Sequence, residues 1–341
     1  MKALDRRIRG SLCPAKLLAA GLGLACLFAL GGCTALQVKL GMKVYLARTP
    51  VSSIDVKLPK GPAIAPGQKL PLVVALTEPD GKVLMTEGQG GGKVMWKDLQ
   101  VTSTIVSVNN KGVVSLTRDP RVSDGKVGHV TITAPSHPDL RAELDIPFRY
   151  DIAYVSNFSG APGASGFNGT DGSSGMSGSM GSMDPNNPSP GGNGTDGGNG
   201  SNGEDGGPGG NAPPVDIRLT LQPGSHPLVQ ASVSALGKTR LYLVDPQGGS
   251  LTVKADAGAG GSGGRGGRGG QGGAGGIGSP SGSSGTSGLD GHDGSDGPEG
   301  RGGQITVTYD PDVQPFLGTI HLSYHNGPSP TFIQKHLAPL W

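Results

Sequence analysis

Aromatic side chains make up only 4% of this 341-residue chain, and all hydrophobic types together 34%. That is too little core-forming material for packed domains along the whole length, so the apolar residues must be concentrated in parts of it. Cysteine is scarce as well, with Cys13, Cys26 and Cys33 as the full set. Beyond position 33 this excludes disulfides and cysteine-ligated metals. No large excess of either charge exists, 28 basic residues standing against 26 acidic ones. A global electrostatic argument for nucleic acid therefore fails. Seven histidines are scattered, and no Ser/His/Asp set clusters along the sequence. These absences point to a chain that is not an enzyme and needs no cofactor. Glycine, by contrast, supplies 64 residues.

The start of the chain has the pattern of an export signal. Lys2, Arg6, Arg7, Arg9 and Lys16 precede an apolar run over 17–30. That run is short of the roughly 20 residues needed to span a bilayer and suits a signal-peptide core. Leu30-Gly31-Gly32-Cys33 resembles the lipobox of bacterial lipoproteins, an apolar residue and two small ones before the cysteine that takes the lipid. The resemblance implies removal of 1–32, acylation of Cys33 and attachment to a membrane through the lipid. Thr34, in place of Asp, resembles the outer-membrane sorting pattern of Gram-negative lipoproteins. Removal of the signal leaves 23 basic against 25 acidic residues, so the slight basicity belongs to the leader.

Residues 33–50 form a membrane-proximal segment. There Val38, Leu40, Met42 and Val44 alternate with polar neighbours as in a strand, while Leu36, Leu40 and Val44 also fit a helical face. The alternation favours the strand. From 51 to 150, short apolar runs recur between turn signals: Ile54–Leu58, Leu70–Leu76, Lys93–Trp96, Ile105–Val108, Val113–Leu116, Val127–Thr133 and Leu140–Arg149. Strands at such spacing predict a β-sandwich. The stretch Val106 to Val114, followed by His129 to Ala134, resembles the bacterial Ig-like domains of surface proteins, with Trp96 at a position where those domains often carry an aromatic.

After Asn157 glycine falls on every third residue, from Gly160 to Gly181 and again from Gly191 to Gly209. The interval Ser182–Pro190 breaks the register. Runs with strand composition follow at Val215–Leu221, Leu228–Ala235, Leu241–Val244 and Leu251–Ala255. The triplets then return from Gly258 to Gly276 and from Gly282 to Gly303, broken at Ser279–Ser281. Ile305–Tyr309 and Thr319–Tyr324 are again strand-like, and 328–341 resembles a poorly ordered tail. The expected organisation is all-β. It comprises an Ig-like sandwich over 51–150, a first glycine hairpin within 151–214, and a β-domain over 215–327 carrying a second hairpin at 257–303.

A period of three matches a left-handed extended helix with three residues per turn and no internal hydrogen bonds. Each backbone N–H and C=O must then find a partner elsewhere. Three arrangements are open. A collagen trimer is disfavoured because only Pro162, Pro208 and Pro298 stand within the triplets. A disordered linker would not need register, yet 15 of the 16 every-third positions from 258 to 303 are Gly. The third arrangement is an intrachain bundle, resembling the polyglycine-II bundles of certain phage adhesins and antifreeze proteins. Its third segment, with two glycines per triplet, is expected to be the most interior helix.

Gly-rich text also generates false motifs. The G-x-G-x-x-G matches follow no strand of a βαβ unit, so no dinucleotide site is expected. Arg265 and Arg268 resemble an RNA-binding RGG element but fit a solvated face better. Asp290, Asp293 and Asp296 are weak calcium candidates, about 9 Å apart along a threefold helix and so too far apart to share one ion. The interruptions of the triplets, with Asp184, Asn186, Asn187 and Pro280, are the natural contact loops. The expected function is a structural or adhesive envelope module that contacts cell-surface polysaccharide or protein. The alternative is a periplasm-facing module for cell wall, polysaccharide or a secretion assembly.

Overall fold

The structure, a computed structural model, describes residues 37–341 apart from 223 and 225. The expected leader over 1–32 and Cys33 lie outside the described residues. The chain is mostly β and divides into two units, one ending at Arg149 and one running from Tyr150 to Trp341.

The first unit contains β1 (Ser53–Lys57), β2 (Lys69–Pro71), β3 (Val73–Thr77), β4 (Val83–Met85), β5 (Gln100–Thr104), β6 (Ser107–Val108), β7 (Val113–Ser115), β8 (Gly128–Ala134) and β9 (His137–Ile146). They form three antiparallel sheets in the orders β1-β3-β4, β2-β7-β6 and β5-β8-β9. One core serves all three, built from side chains such as Ile64, Leu72, Val74, Leu76, Trp96, Val114, Ile132 and Ile146. Strand β8 shows the alternation that drives this packing: Val130, Ile132 and Ala134 are buried, and the residues between them are not. The Trp96 ring closes on the turn before β7 so tightly that a Cβ on Gly112 would lie 1.9 Å from it. Gly112 also has φ 68°, which favours glycine a second time.

Several expectations change here. The 34–50 segment contributes no strand among its described residues, only a helical turn at 37–39, an isolated bridge at Val44 and a 3-10 turn at Leu46–Arg48. Leu70–Leu76 is two strands, because Pro71 has no N–H to continue a ladder and the chain changes sheets at Leu72. Lys93–Trp96 makes only single bridges at Val94 before a 3-10 turn at Trp96–Asp98. Ile105 sits at φ 67°, which ends β5 and delays β6 to Ser107.

The second unit holds β10 (Ala153–Asn157), β11 (Val215–Gln222), β12 (Leu228–Ala235), β13 (Lys238–Val244), β14 (Ser250–Lys254), β15 (Ile305–Tyr309), β16 (Ile320–Ser323) and β17 (Thr331–Gln334). A parallel sheet β10-β14-β16 and a mixed sheet β13-β12-β11-β15-β17 share the core of Val215, Ile217, Leu219, Val233, Leu251, Val253, Ile305 and Val307. The supposed tail is therefore an edge strand. It is held further by the Leu337 N–H donating to Asp310 at 2.9 Å and the Leu340 N–H to Gln230 at 2.9 Å. Strand β10, inside the stretch assigned to the first hairpin, belongs to this unit's parallel sheet.

The glycine segments are continuations of these strands. The first and third leave β10 and β14, which are parallel neighbours, and the second and fourth return into β11 and β15, which are parallel neighbours too. Ala153 pairs with Ser250, and the same offset of 97 recurs far along the array, where the Asp171 side chain meets the Arg268 N–H. The offset of 90 between Val215 and Ile305 recurs at Asn193 and Ser283. Strand pairing thus sets the register of the whole array.

Candidate functional site

A threefold extended backbone cannot bond to itself, and here its bonds go sideways. All 30 in-register glycine N–H groups donate to another part of the chain. Glycines of the first segment donate to carbonyls of the third, as Gly169 does to Arg265 at 2.7 Å. Those of the second donate to the fourth, those of the third to the second, and those of the fourth to the third, with Gly303 closing onto Ala255. A further column in the second segment, including Thr195, Ser201 and Glu204, donates to the first. The first and second segments run antiparallel, as do the third and fourth. Second and third are also in contact, whereas no backbone hydrogen bond joins first and fourth among the described residues.

The third segment is the most interior of the four, as expected, with every in-register glycine from Gly258 to Gly276 buried, although the second segment also has three neighbours. Its doublets have a narrower meaning. One glycine column of the third segment faces first-segment carbonyls, since a Cβ on Gly267 would lie 2.0 Å from Thr170 O. The other faces the fourth, since a Cβ on Gly269 would lie 2.1 Å from Gly288 O. The second segment has one such column, and its third neighbour is met through a roomier one that already holds Thr195, Ser201 and Glu204.

Further N–H groups are met by side chains at the third triplet position. Asn193, Asp196, Asn199, Asn202, Asp205 and Asn211 of the second segment accept from the fourth at 2.7–3.0 Å. Asp290, Asp293 and Asp296 do the same for Gly269, Gly266 and Gly263 of the third. The calcium candidates are thus backbone acceptors spread along an edge, and no group of three His, Cys, Asp or Glu is gathered for a metal among the described residues. Bonds from the Thr286 N–H and hydroxyl hold the Asp196 carboxyl below its ordinary range.

Both reversals lie at the same end of the array. The Ser279 N–H donates to Ser189 O at 3.0 Å and the Gly191 N–H to Pro280 O at 2.9 Å, which ties the two turns together. Asp184, Asn186, Asn187 and Pro280 are all exposed there, with the Asp184 carboxylate accepting the Asn186 N–H at 2.9 Å. Four exposed apolar side chains lie in or before these turns: Met176 is 76% exposed, Met180 83%, Met183 68% and Ile277 55%. Asp184 is the only charged residue in 176–192 or 274–286. The arrangement is an almost uncharged tip with four exposed apolar side chains, on a shaft that also exposes Phe167 and Leu289.

At the root, Asp256 accepts from the Ser323 hydroxyl at 2.6 Å, the His325 N–H at 2.8 Å and the Ser159 hydroxyl. Burial pushes its pKa up, but those bonds outweigh burial and hold it below the ordinary 3.8. A depressed carboxylate pKa contributes stability above the unfolded value and loses it as pH falls through the folded one. Melting temperature should therefore drop below about pH 4, and Asp256→Asn should flatten that drop while lowering stability at neutral pH. A pH series of thermal melts checks it; an Asp256→Asn profile as steep as the parent's would exclude Asp256 as a contributor.

No family model matches the chain, and no curated protein is significantly similar to it.

One arrangement is not apparent from spacing along the chain: His129 Nδ1 lies 2.7 Å from Asp145 Oδ1, and its Nε2 lies 3.2 Å from the Thr131 hydroxyl. The order of groups imitates a nucleophile relay. Its cause is sheet geometry, because His129 and Asp145 are cross-strand partners of β8 and β9, and Thr131 is two residues along on the same face. The Asp145 side chain is 76% exposed, so water competes for the carboxylate that should orient the ring. The three residues form a surface cluster on an open sheet face.

Proposed function

We propose that the chain is a non-catalytic cell-envelope lipoprotein that presents the tip of its glycine array as a contact surface. In this account Cys33 carries the lipid and holds the protein in the outer membrane, and the first unit is an Ig-like spacer. The four segments form a polyglycine-II-like bundle about 65 Å long at about 3.1 Å per residue. The observation that carries the proposal is the convergence of both turns, with Met176, Met180, Met183 and Ile277, on one end of that shaft. A cluster of exposed apolar side chains marks an interaction surface. Methionine's flexible side chain suits a contact that adapts to its partner. With no basic residue at the tip, the surface is not one for acidic polymers, and an uncharged protein or glycan face fits it best.

Two experiments separate the parts. Cys33→Ser should move the protein from the membrane fraction to the soluble fraction; retention in the membrane would overturn the lipid anchor. Replacing Met176, Met180, Met183 and Ile277 together by Ser should abolish adhesion of protein-coated beads to cells while the thermal melt is preserved. Unchanged adhesion would remove the tip from the account, and retention on purified cell wall by both proteins would favour the periplasm-facing alternative.

A further inference from the structure

A single lipid fixes one point of a protein and leaves the rest free to tumble above the bilayer. The residues that follow Cys33 carry a second kind of membrane contact. Gln37 stands four residues after Cys33, and an extended chain covers at most about 14 Å over that distance. In the reading that Cys33 is acylated, on which this inference rests, the turn at 37–43 is therefore within reach of the headgroup layer. Backbone bonds shape that turn: the Gly41 N–H donates to Val38 O at 3.0 Å and the Met42 N–H to Gln37 O at 2.9 Å, with Gly41 at φ 69°. On either side of Gly41 stand two apolar side chains that the core does not take in, Leu40 at 63% exposed and Met42 at 51%.

Lysines gather around the turn. The Val44 N–H donates to Lys93 O at 3.1 Å, which sets Lys43 and Lys93 on neighbouring stretches. Gln37, Lys43, Lys97, Asn109 and Asn110 line one cleft of about 520 Å³, and Lys111 follows directly on Asn110. The stretches 37–43, 93–97 and 109–111 together hold five lysines and no acid. Two acids lie close by. Glu87 is paired with Lys43 at 2.5 Å, and Asp98 keeps one carboxylate oxygen buried. Lys39, Lys93, Lys97 and Lys111 are exposed and enter no ion pair among the described residues. Apolar side chains set among lysines match a bilayer surface, where the former enter the headgroup boundary and the latter meet anionic lipid. We propose that this face is a second membrane contact, with Leu40 and Met42 entering the headgroup layer and Lys39, Lys93, Lys97 and Lys111 binding anionic phospholipid headgroups.

Lysine acetylation, read residue by residue, tests the contact. The protein extracted from the membranes of cells that make it is reconstituted with vesicles of phosphatidylcholine, with or without phosphatidylglycerol. Phosphatidylglycerol should slow acetylation of Lys39, Lys93, Lys97 and Lys111 by about fivefold or more, the factor that one lysine gains near an anionic surface. High salt should restore the rates. Lys126, which precedes β8 at the end opposite the Lys97 side, should react alike on both vesicles. Changing Lys39, Lys97 and Lys111 together to Glu should return Lys93 to its rate on neutral vesicles, whereas the same three changes to Arg should keep it protected. Flotation with the vesicles reports the anchor separately. Protein that floats while its patch lysines react alike on both vesicles would keep the anchor and overturn the contact, as would slowing that includes Lys126 equally. Absence of flotation with neutral vesicles, together with protection of the four lysines on anionic ones, would overturn the anchor and support the contact.

Discussion

Gly267→Ala should unfasten the glycine array, whereas Gly207→Ala, an identical chemical change one segment away, should leave it intact. The added Cβ on Gly267 would fall 2.0 Å from Thr170 O and 2.4 Å from its carbonyl carbon. Both are backbone atoms, so no rotamer change relieves the clash; the first and third segments must separate. Around Gly267 that separation would break the Gly169 and Gly172 donations to Arg265 and Arg268, and it would strain the Gly267 bond to Ser201. Ordinary overpacking costs about 1–3 kcal/mol because side chains can shift. The expected loss here is at or above the top of that range. At Gly207 the nearest atom to a new Cβ is Ala164 N at 3.3 Å, in a column that already accommodates Thr195, Ser201 and Glu204. There the change should stay within about 1 kcal/mol and gain a little from the smaller unfolded-state entropy of alanine. Chemical denaturation of the two variants side by side makes the comparison. Equal stabilities would mean that the array is not packed backbone to backbone.

One residue inserted after Asp171 should be far more damaging than three. A single insertion turns the rest of the first segment by a third of a turn. Ser174, Ser177 and Met180 would then occupy the places of Gly175, Gly178 and Gly181, where a Cβ lies 2.0, 1.9 and 2.4 Å from carbonyl oxygens of the second segment and its turn. The outer half of the segment should detach and expose the donors of the second segment that bond to it. Inserting a full Gly-containing triplet preserves the phase and only displaces the turn by about 9 Å, a length that nine turn residues can absorb. Limited proteolysis around 172–192 should therefore cut the one-residue variant readily and spare both the parent and the triplet variant.

These effects follow from a rule that the sequence makes partly visible. The glycine period, the positions of the two reversals and the doublets of the third segment are local patterns, and each corresponds to a feature of the array. Strands β11, β12, β14 and β15 were also legible, because their apolar alternation is strong and turns bound them. What escaped depends on partners distant in the chain. Gln100–Thr104 is polar enough to pass for a loop, yet β8 lies beside it. Thr331–Gln334 is exposed along its whole length, so its strand character comes from pairing with β15 and not from burial. The role of the third-position Asn and Asp residues as acceptors for a neighbouring segment emerges only once the offset of 90 is fixed by β11 and β15. At the tip, the loop residues were found from composition, but Met176, Met180, Met183 and Ile277 were not. The signal was available in the clustering of methionine within a segment otherwise poor in large side chains.

Residue-resolved amide exchange across 160–209 and 258–303 tests the account most directly. Lateral bonding predicts protection with a period of three along the first segment: slow exchange at Gly163, Gly166, Gly169, Gly172, Gly175 and Gly178, and faster exchange at Ser165, Ser174 and Ser177, for which no backbone acceptor is found. Along the second segment two residues in each triplet should be slow, because both columns donate. Uniform exchange at the rate of an unstructured peptide, or protection without that threefold rhythm, would contradict it.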